Sequence, residues 1–194
     1  MCVLSVVSNP RWLIWLTAVI IVCLSIPSAH GQDTSFGGWR QAGDDLELKR
    51  VIVDPGALFS PEFLFVRTSL RRYRLGVVRA QAYGSNKDSV KTLCKKSKAR
   101  LGINANFFDE HGKALGLVVS RGNMYQKVHN SGKTLTGIFQ LTPVGISIVH
   151  RQDFKPDAAL EAVQAGPRLV IDGEAVHGLK NTLSHSRRAG VCID

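Results

Sequence analysis

The segment Gly102-Ile103-Asn104-Ala105-Asn106-Phe107-Phe108-Asp109 brings two amides and two aromatic rings to the end of an apolar stretch. Side chains that alternate along a strand share one face, so Asn104 and Asn106 offer paired donors and acceptors of the kind sugar hydroxyls need. The competing reading has Asn106 turning the chain after the strand while Phe107 and Phe108 enter the core. A second segment, Gln164-Ala165-Gly166-Pro167-Arg168, sets a Gly-Pro break ahead of an apolar run. Glycine has no side chain and proline fixes φ, so the backbone can approach a ligand there, or simply turn. A third, His185-Ser186-Arg187-Arg188, offers a guanidinium able to grip a phosphate through two parallel hydrogen bonds, or else a solvated surface pair. Asp109, Glu110 and Asp194 are the carboxylates near these segments, and glycoside chemistry ordinarily uses two. The histidines at 111, 129, 150, 177 and 185 form no ligand motif and no cysteine pair has metal-site spacing, so no metal is expected. No motif specifies a cofactor.

Such side chains need a scaffold. Stretches rich in Val, Ile and Phe at 46–53, 62–67, 73–80, 101–105, 115–120, 134–141, 144–150 and 169–171 predict strands. Thr142-Pro143 predicts a tight turn between two of them, and Asp172-Gly173 another after the last. Between 88 and 99 the period changes: Val90, Leu93, Cys94 and Ser97 fall on one helical face with lysines opposite, and the start lies near Ser85 or Asn86. Pro156 at a first turn predicts a second, shorter helix over 156–163. The expected fold class is α+β: mostly antiparallel strands, with one amphipathic and one shorter helix packed on the sheet and no internal repeat.

Ahead of this lies a different kind of segment. Arg11 precedes an apolar run, 12–26, that Pro27 breaks before the small-residue stretch Ser28-Ala29-His30-Gly31. That order is the pattern of a secretory signal, and the run is shorter than the roughly 20 residues a bilayer-spanning helix needs. Residues 1–31 are therefore expected to be a signal peptide cleaved after Gly31, leaving Gln32 at the N-terminus. The alternative is an uncleaved anchor with Trp12 and Trp15 at the interface. Residues 32–45 are expected to be flexible, and 46–194 to form one domain.

The chain carries a formal net charge of +10, of which the leader contributes only Arg11. A basic balance favours anionic partners such as phosphorylated glycan, or serves solubility alone. The basic clusters at 67–74, 87–100 and 187–188 form no long run, which disfavours nucleic acid. Membrane contact is confined to the leader before cleavage. Cys2 and Cys23 leave with the leader, whereas Cys94 and Cys192 remain, able to pair with each other, to pair elsewhere, or to stay as buried thiols. No Asn-x-Ser/Thr sequon occurs, favouring a bacterial envelope and a periplasmic or extracellular location.

In their order along the chain, Asn104-Ala105-Asn106-Phe107-Phe108, the stretch around Gly116, Gln164-Ala165-Gly166-Pro167 with Leu169, Val170 and Gly173, and Arg187-Arg188-Ala189-Gly190-Val191 resemble the phosphodiester glycosidase family. The resemblance covers roughly 46–194. It implies hydrolysis of a sugar–phosphate bond, in envelope or extracellular polysaccharide. On that basis Asn104 and Asn106 would orient the sugar or the attacking water, Phe107 and Phe108 would shape the pocket, and Gly166 with Pro167 would wall it beside Arg168. Arg187 or Arg188 would hold the phosphate. The resemblance also implies a further C-terminal segment, with an Asp-Gly-Gly-Gly-Ser-like motif, that follows the region ending here at Asp194. A domain lacking that part is the expectation, either inactive or a non-enzymatic module that binds anionic glycan.

Overall fold

The structure, a computed structural model, describes residues 2–8, 17–22, 38–53, 56, 60–178 and 187–193. In chain order its strands begin with β1 (Cys2–Ser8), β2 (Thr17–Val22), β3 (Arg40–Gly43), β4 (Leu46–Ile52), β5 (Glu62–Ser69), β6 (Tyr73–Arg79) and β7 (Leu101–Asn104). They continue with β8 (Val118–Ser120), β9 (Asn123–Gln126), β10 (Gly137–Thr142), β11 (Gly145–His150) and β12 (Glu161–Ala165). The last are β13 (Val170–Ile171), β14 (Glu174–Ala175) and β15 (Ala189–Ile193), and helix α1 spans Val90–Ser97. The chain divides into two compact units, Met1–Asn9 with Tyr73–Leu183 and Pro10–Arg72 with Ser184–Asp194.

The larger unit holds an antiparallel sheet of order β6-β1-β7, a second of order β11-β10-β12-β8-β9, and the short β13-β14 hairpin. Leu117, Val119, Ile138, Ala159 and Ala162 form one core, with Val128, Val149 and Phe154 packed against it. Burying a side chain of the Leu, Ile or Val type contributes about 1.5–3 kcal/mol each. A separate cluster of Ala80 and Leu93 takes in Val78, Val90, Cys94 and Phe108, so α1 buries the face its period predicts. Two hydrogen bonds tie β6 to the larger sheet, and a third ties β12 to the β8–β9 turn. Glu161 Oε2 accepts from Val77 N at 2.9 Å, Glu161 Oε1 accepts from Arg121 N at 3.1 Å, and Ser120 Oγ donates to Val77 O at 2.8 Å.

Local chemistry accounts for the boundaries. Helix α1 is capped by Ser89, whose hydroxyl accepts from Thr92 N at 3.1 Å, rather than by Ser85 or Asn86. Ser85 instead closes the preceding turn, donating to Lys87 O at 2.9 Å. The β10–β11 hairpin pairs Thr142 with Gly145, so its central residues are Pro143 and Val144, one step beyond the expected Thr142-Pro143. Arg121-Gly122 and Asp172-Gly173 each place two successive residues at positive φ, as a two-residue hairpin of the primed type requires.

The second helix is not formed. Pro156–Ala158 makes one 3-10 turn, and Glu161–Ala165 is the central strand β12, hydrogen-bonded to β10 on one side and β8 on the other. Ala162, Val163 and Gln164 are all buried there, so burial on both faces overrides the helical propensity of this Ala-rich stretch. The coarse α+β class stands, mainly β, with a single helix among the described residues.

The smaller unit is one antiparallel sheet of order β15-β2-β5-β4-β3. Val66 and Thr68 of β5 are buried, and Arg50–Glu62 and Arg67–Glu47 ion pairs at 2.6 and 2.7 Å lie across β4 and β5. Part of the segment expected to be flexible is ordered here: Arg40–Gly43 is an edge strand, and Trp39 lies under the Arg67 guanidinium at 4.4 Å. Residues 2–8 and 17–22, inside the stretch read as a leader, are strands in the intact chain. In the larger unit β1 is the central strand of its sheet, with Ser5 and Val6 buried and Ser5 Oγ donating to Gly76 O at 3.1 Å.

Candidate functional site

Strand β7 ends at Asn104, so the two asparagines do not continue one strand face. Asn104 is exposed, while Asn106 is only 7 % exposed. Its Nδ2 donates to Phe107 O at 3.0 Å and its Oδ1 is buried with no partner. A buried carbonyl oxygen without a donor costs about 1–3 kcal/mol, and Gln140 Oε1 is a second amide oxygen of this kind among the described residues. The two rings divide as well. Phe108 packs against the Ala80 and Leu93 cluster with Lys87 Nζ 5.4 Å from its centroid, whereas Phe107 is 46 % exposed beside Asn106.

After the rings the chain makes a tight loop around one carboxylate. Asp109 Oδ1 accepts from His111 N at 3.0 Å and from Lys113 N at 2.8 Å, and Asp109 N donates to Lys113 O at 2.9 Å. Gly112 takes φ +80°, and a Cβ there would lie 2.4 Å from Asn86 O, so only glycine fits. Asp109 thus serves as the loop's organiser, and Glu110 is a solvated side chain 3.4 Å from His111. Asp194 lies outside the described residues. The Asp-x-x-Gly spacing of Asp109 and Gly112, a side-chain-closed turn, is the sequence signal for this loop.

The Gln164–Arg168 segment is chiefly architectural. Gln164 is fully buried and spends all its side-chain capacity on protein. Its Oε1 accepts from Leu117 N at 3.0 Å and His129 N at 2.8 Å, and its Nε2 donates to His129 O at 2.8 Å and Leu135 O at 2.9 Å. Gly116 is glycine because a Cβ would meet Gln164 Oε1 at 2.8 Å. The close approach at Gly166, φ +143°, is to Thr134 O, 2.5 Å from where a Cβ would stand, and the Gly166-Pro167 peptide is cis. Pro167 is exposed. Arg168 lies over Gly137, its N donates to Thr136 Oγ1 at 3.3 Å, and its Nε is buried without a partner.

Arg187 and Arg188 belong to the smaller unit. Both are exposed and precede β15, and Arg188 Nη1 donates to Arg187 O at 3.3 Å. Because they precede the strand, the alternation of strand faces does not separate them.

The family model for Phosphodiester glycosidase matches residues 97–194. The chain belongs to the phosphodiester glycosidase family. The matched stretch runs from the end of α1 to the C-terminus and contains all nine candidate residues, Asn104 to Arg188. No curated protein and no solved structure matches the chain. Among the described residues of the larger unit two ionisable side chains are shifted by burial. Burial pushes the Glu161 carboxyl up, opposed by its hydrogen bonds from Val77, Arg121 and Ser120 and by the Arg121 charge, and burial pushes the Cys94 thiol up. Cys94 carries a free thiol. Among the described residues no three His, Cys, Asp or Glu side chains gather as metal ligands.

Proposed function

We propose that this chain is an exported glycosidase that hydrolyses a sugar–phosphate linkage, in envelope or extracellular polysaccharide. The observation that carries the reading is the unpartnered Oδ1 of Asn106, buried beside an exposed ring inside the stretch that matches the family. An amide of this kind can accept from a sugar hydroxyl or from the attacking water, with Phe107 at its rim. Water adds at the anomeric carbon, the bond from that carbon to the phosphate oxygen breaks, and a phosphate ester leaves. Such a leaving group needs less protonation than an alcohol, which lowers the demand for a second carboxyl group.

Turnover of a sugar phosphodiester by the full chain is the test. Asn106→Ala is expected to lower kcat by about 10²–10³ with an unchanged far-UV spectrum. Arg187→Ala and Arg188→Ala test the phosphate role that the family resemblance implies, with Lys95→Ala as the comparison on exposed α1. Equal, small effects at all four positions would remove the reading. Export has its own test, because cleavage after Gly31 takes β1 and β2 away: an exported product whose intact mass begins at Gln32 supports the leader, and retention of residues 1–31 overturns it.

A further inference from the structure

Strands β13 and β14 form a two-stranded sheet, and among the described residues no third strand joins it. Such a hairpin is marginal in water by itself, and its open edge is a template for a further strand. Leu169, Val170 and Ile171 follow one another along this edge with 58, 61 and 36 % of their surface exposed. The register of the hairpin decides which backbone groups face outward. Ile171 pairs with Glu174 and Val170 with Ala175 around the Asp172-Gly173 turn, and Val176 N donates to Leu169 O at 2.9 Å. Successive residues of an antiparallel strand bond to opposite sides, so Leu169 and Ile171 aim their groups at β14 and Val170 aims its N–H and C=O away from it. Around Val170 the sequence reads cation, Leu, Val, Ile, anion, from Arg168 to Asp172. Neither Arg168 nor Asp172 is in an ion pair among the described residues, and Arg168 Nε is buried without a partner.

We propose that β13 pairs edge to edge with β13 of a second copy of this chain, antiparallel about a twofold axis through Val170. In that register the two Val170 residues exchange both backbone hydrogen bonds. Leu169 of each copy faces Ile171 of the other, and Arg168 of each faces Asp172 of the other. Twofold symmetry makes every contact twice, and two marginal hairpins become one four-stranded sheet. Charge selects this arrangement. Only this antiparallel register sets Arg168 directly across from Asp172, and a parallel in-register pairing would set like charges side by side. The β14 edge does not fit in the same way: about Ala175 it would oppose Glu174 to Val176 and His177 to Gly173, leaving the carboxylate without a cation. Three apolar side chains on each copy are few beside the roughly 20–30 residues a side of a stable interface, so the dimer is a concentration-dependent one. None of these contacts depends on the hydrolytic reading.

Sedimentation equilibrium of the full chain, from micromolar to near-millimolar concentration, is expected to show monomer and dimer in exchange. Val170→Lys sets two like charges against each other on the axis, and dimerisation should weaken by at least about tenfold. Asp172→Asn removes both ion pairs while asparagine keeps the positive-φ turn, and a loss of about threefold is expected. Added salt should weaken the wild-type dimer and leave that of Asp172→Asn nearly unchanged. Val144→Lys, at the 95 % exposed tip of the β10–β11 hairpin, is the comparison and should change nothing. All three side chains are exposed, so an unchanged far-UV spectrum and Tm are expected throughout. A monomer at every concentration overturns the proposal, as does a dimer that survives Val170→Lys or that Val144→Lys weakens equally. An Asp172→Asn dimer as tight and as salt-sensitive as the wild type overturns the register.

Discussion

Two buried amides in the larger unit do opposite things. Gln164 is wholly enclosed and has each of its four side-chain hydrogen bonds made, to backbone groups of Leu117, His129 and Leu135. Asn106 is nearly as enclosed and leaves its oxygen without a donor. Both stand in segments that look chemically suggestive in the sequence. A saturated polar group tells of architecture, because replacing it orphans its partners. An unsaturated one keeps an acceptor for a further donor, as Gln140 Oε1 also does in this unit.

The comparison breaks first at Gln164. Gln164→Ala orphans three backbone groups, Leu117 N, His129 N and His129 O, while Leu135 O keeps Arg151 Nη1 at 3.2 Å. A stability loss on the order of 3–5 kcal/mol is expected in chemical denaturation. A loss below about 1 kcal/mol would show that water replaces the amide freely. Gly116→Ala comes next, at about 1–3 kcal/mol, since the new methyl overlaps Gln164 Oε1 and must displace it. Combining the two changes should cost less than their sum, because both act through one amide.

Glu161 sharpens the contrast from the side of charge. Its carboxyl is held above its ordinary pKa, chiefly by burial, so the folded state keeps the proton to higher pH than the unfolded state. The linked stability is fully present below the ordinary glutamate range and is lost as pH rises through the raised value. Glu161→Gln should therefore cost most at acidic pH. The Tm gap between wild type and variant should narrow as pH climbs past that window, and a gap that widens instead contradicts the direction. At neutral pH a residual cost of about 1–2 kcal/mol is expected, because the glutamine NH₂ faces one of the two backbone donors. The smallest effect on stability belongs to Asn106→Ala. It forfeits one hydrogen bond to Phe107 O and relieves a buried unpartnered oxygen, so thermal denaturation should move by less than about 1 kcal/mol while turnover falls. A large destabilisation there would make Asn106 a second Gln164.

Which of these roles could be read in advance depended on the range of the interaction. Phe108 and Phe107 are adjacent and alike, yet one packs against the core and the other is exposed, a division set by what α1 and Ala80 cover. Gly166 needed a close neighbour, as its residue type implied, but that neighbour is Thr134 O and not a ligand.

The sequence by itself determined the features whose causes are local. These are the amphipathic period of α1, the positive-φ turn at Asp172-Gly173, most strand positions, and a motif order sufficient for the family. Tertiary structure decided the rest. Residues 161–165 carry helix-forming alanine and glutamate, but β10 and β8 flank them, and a segment buried on both faces must pair its backbone with its neighbours. Asp109 could have been an acid, and the loop closed on it instead. Hydrogen-bond saturation is a property of surroundings, and a side chain's surroundings are assembled from residues far along the chain.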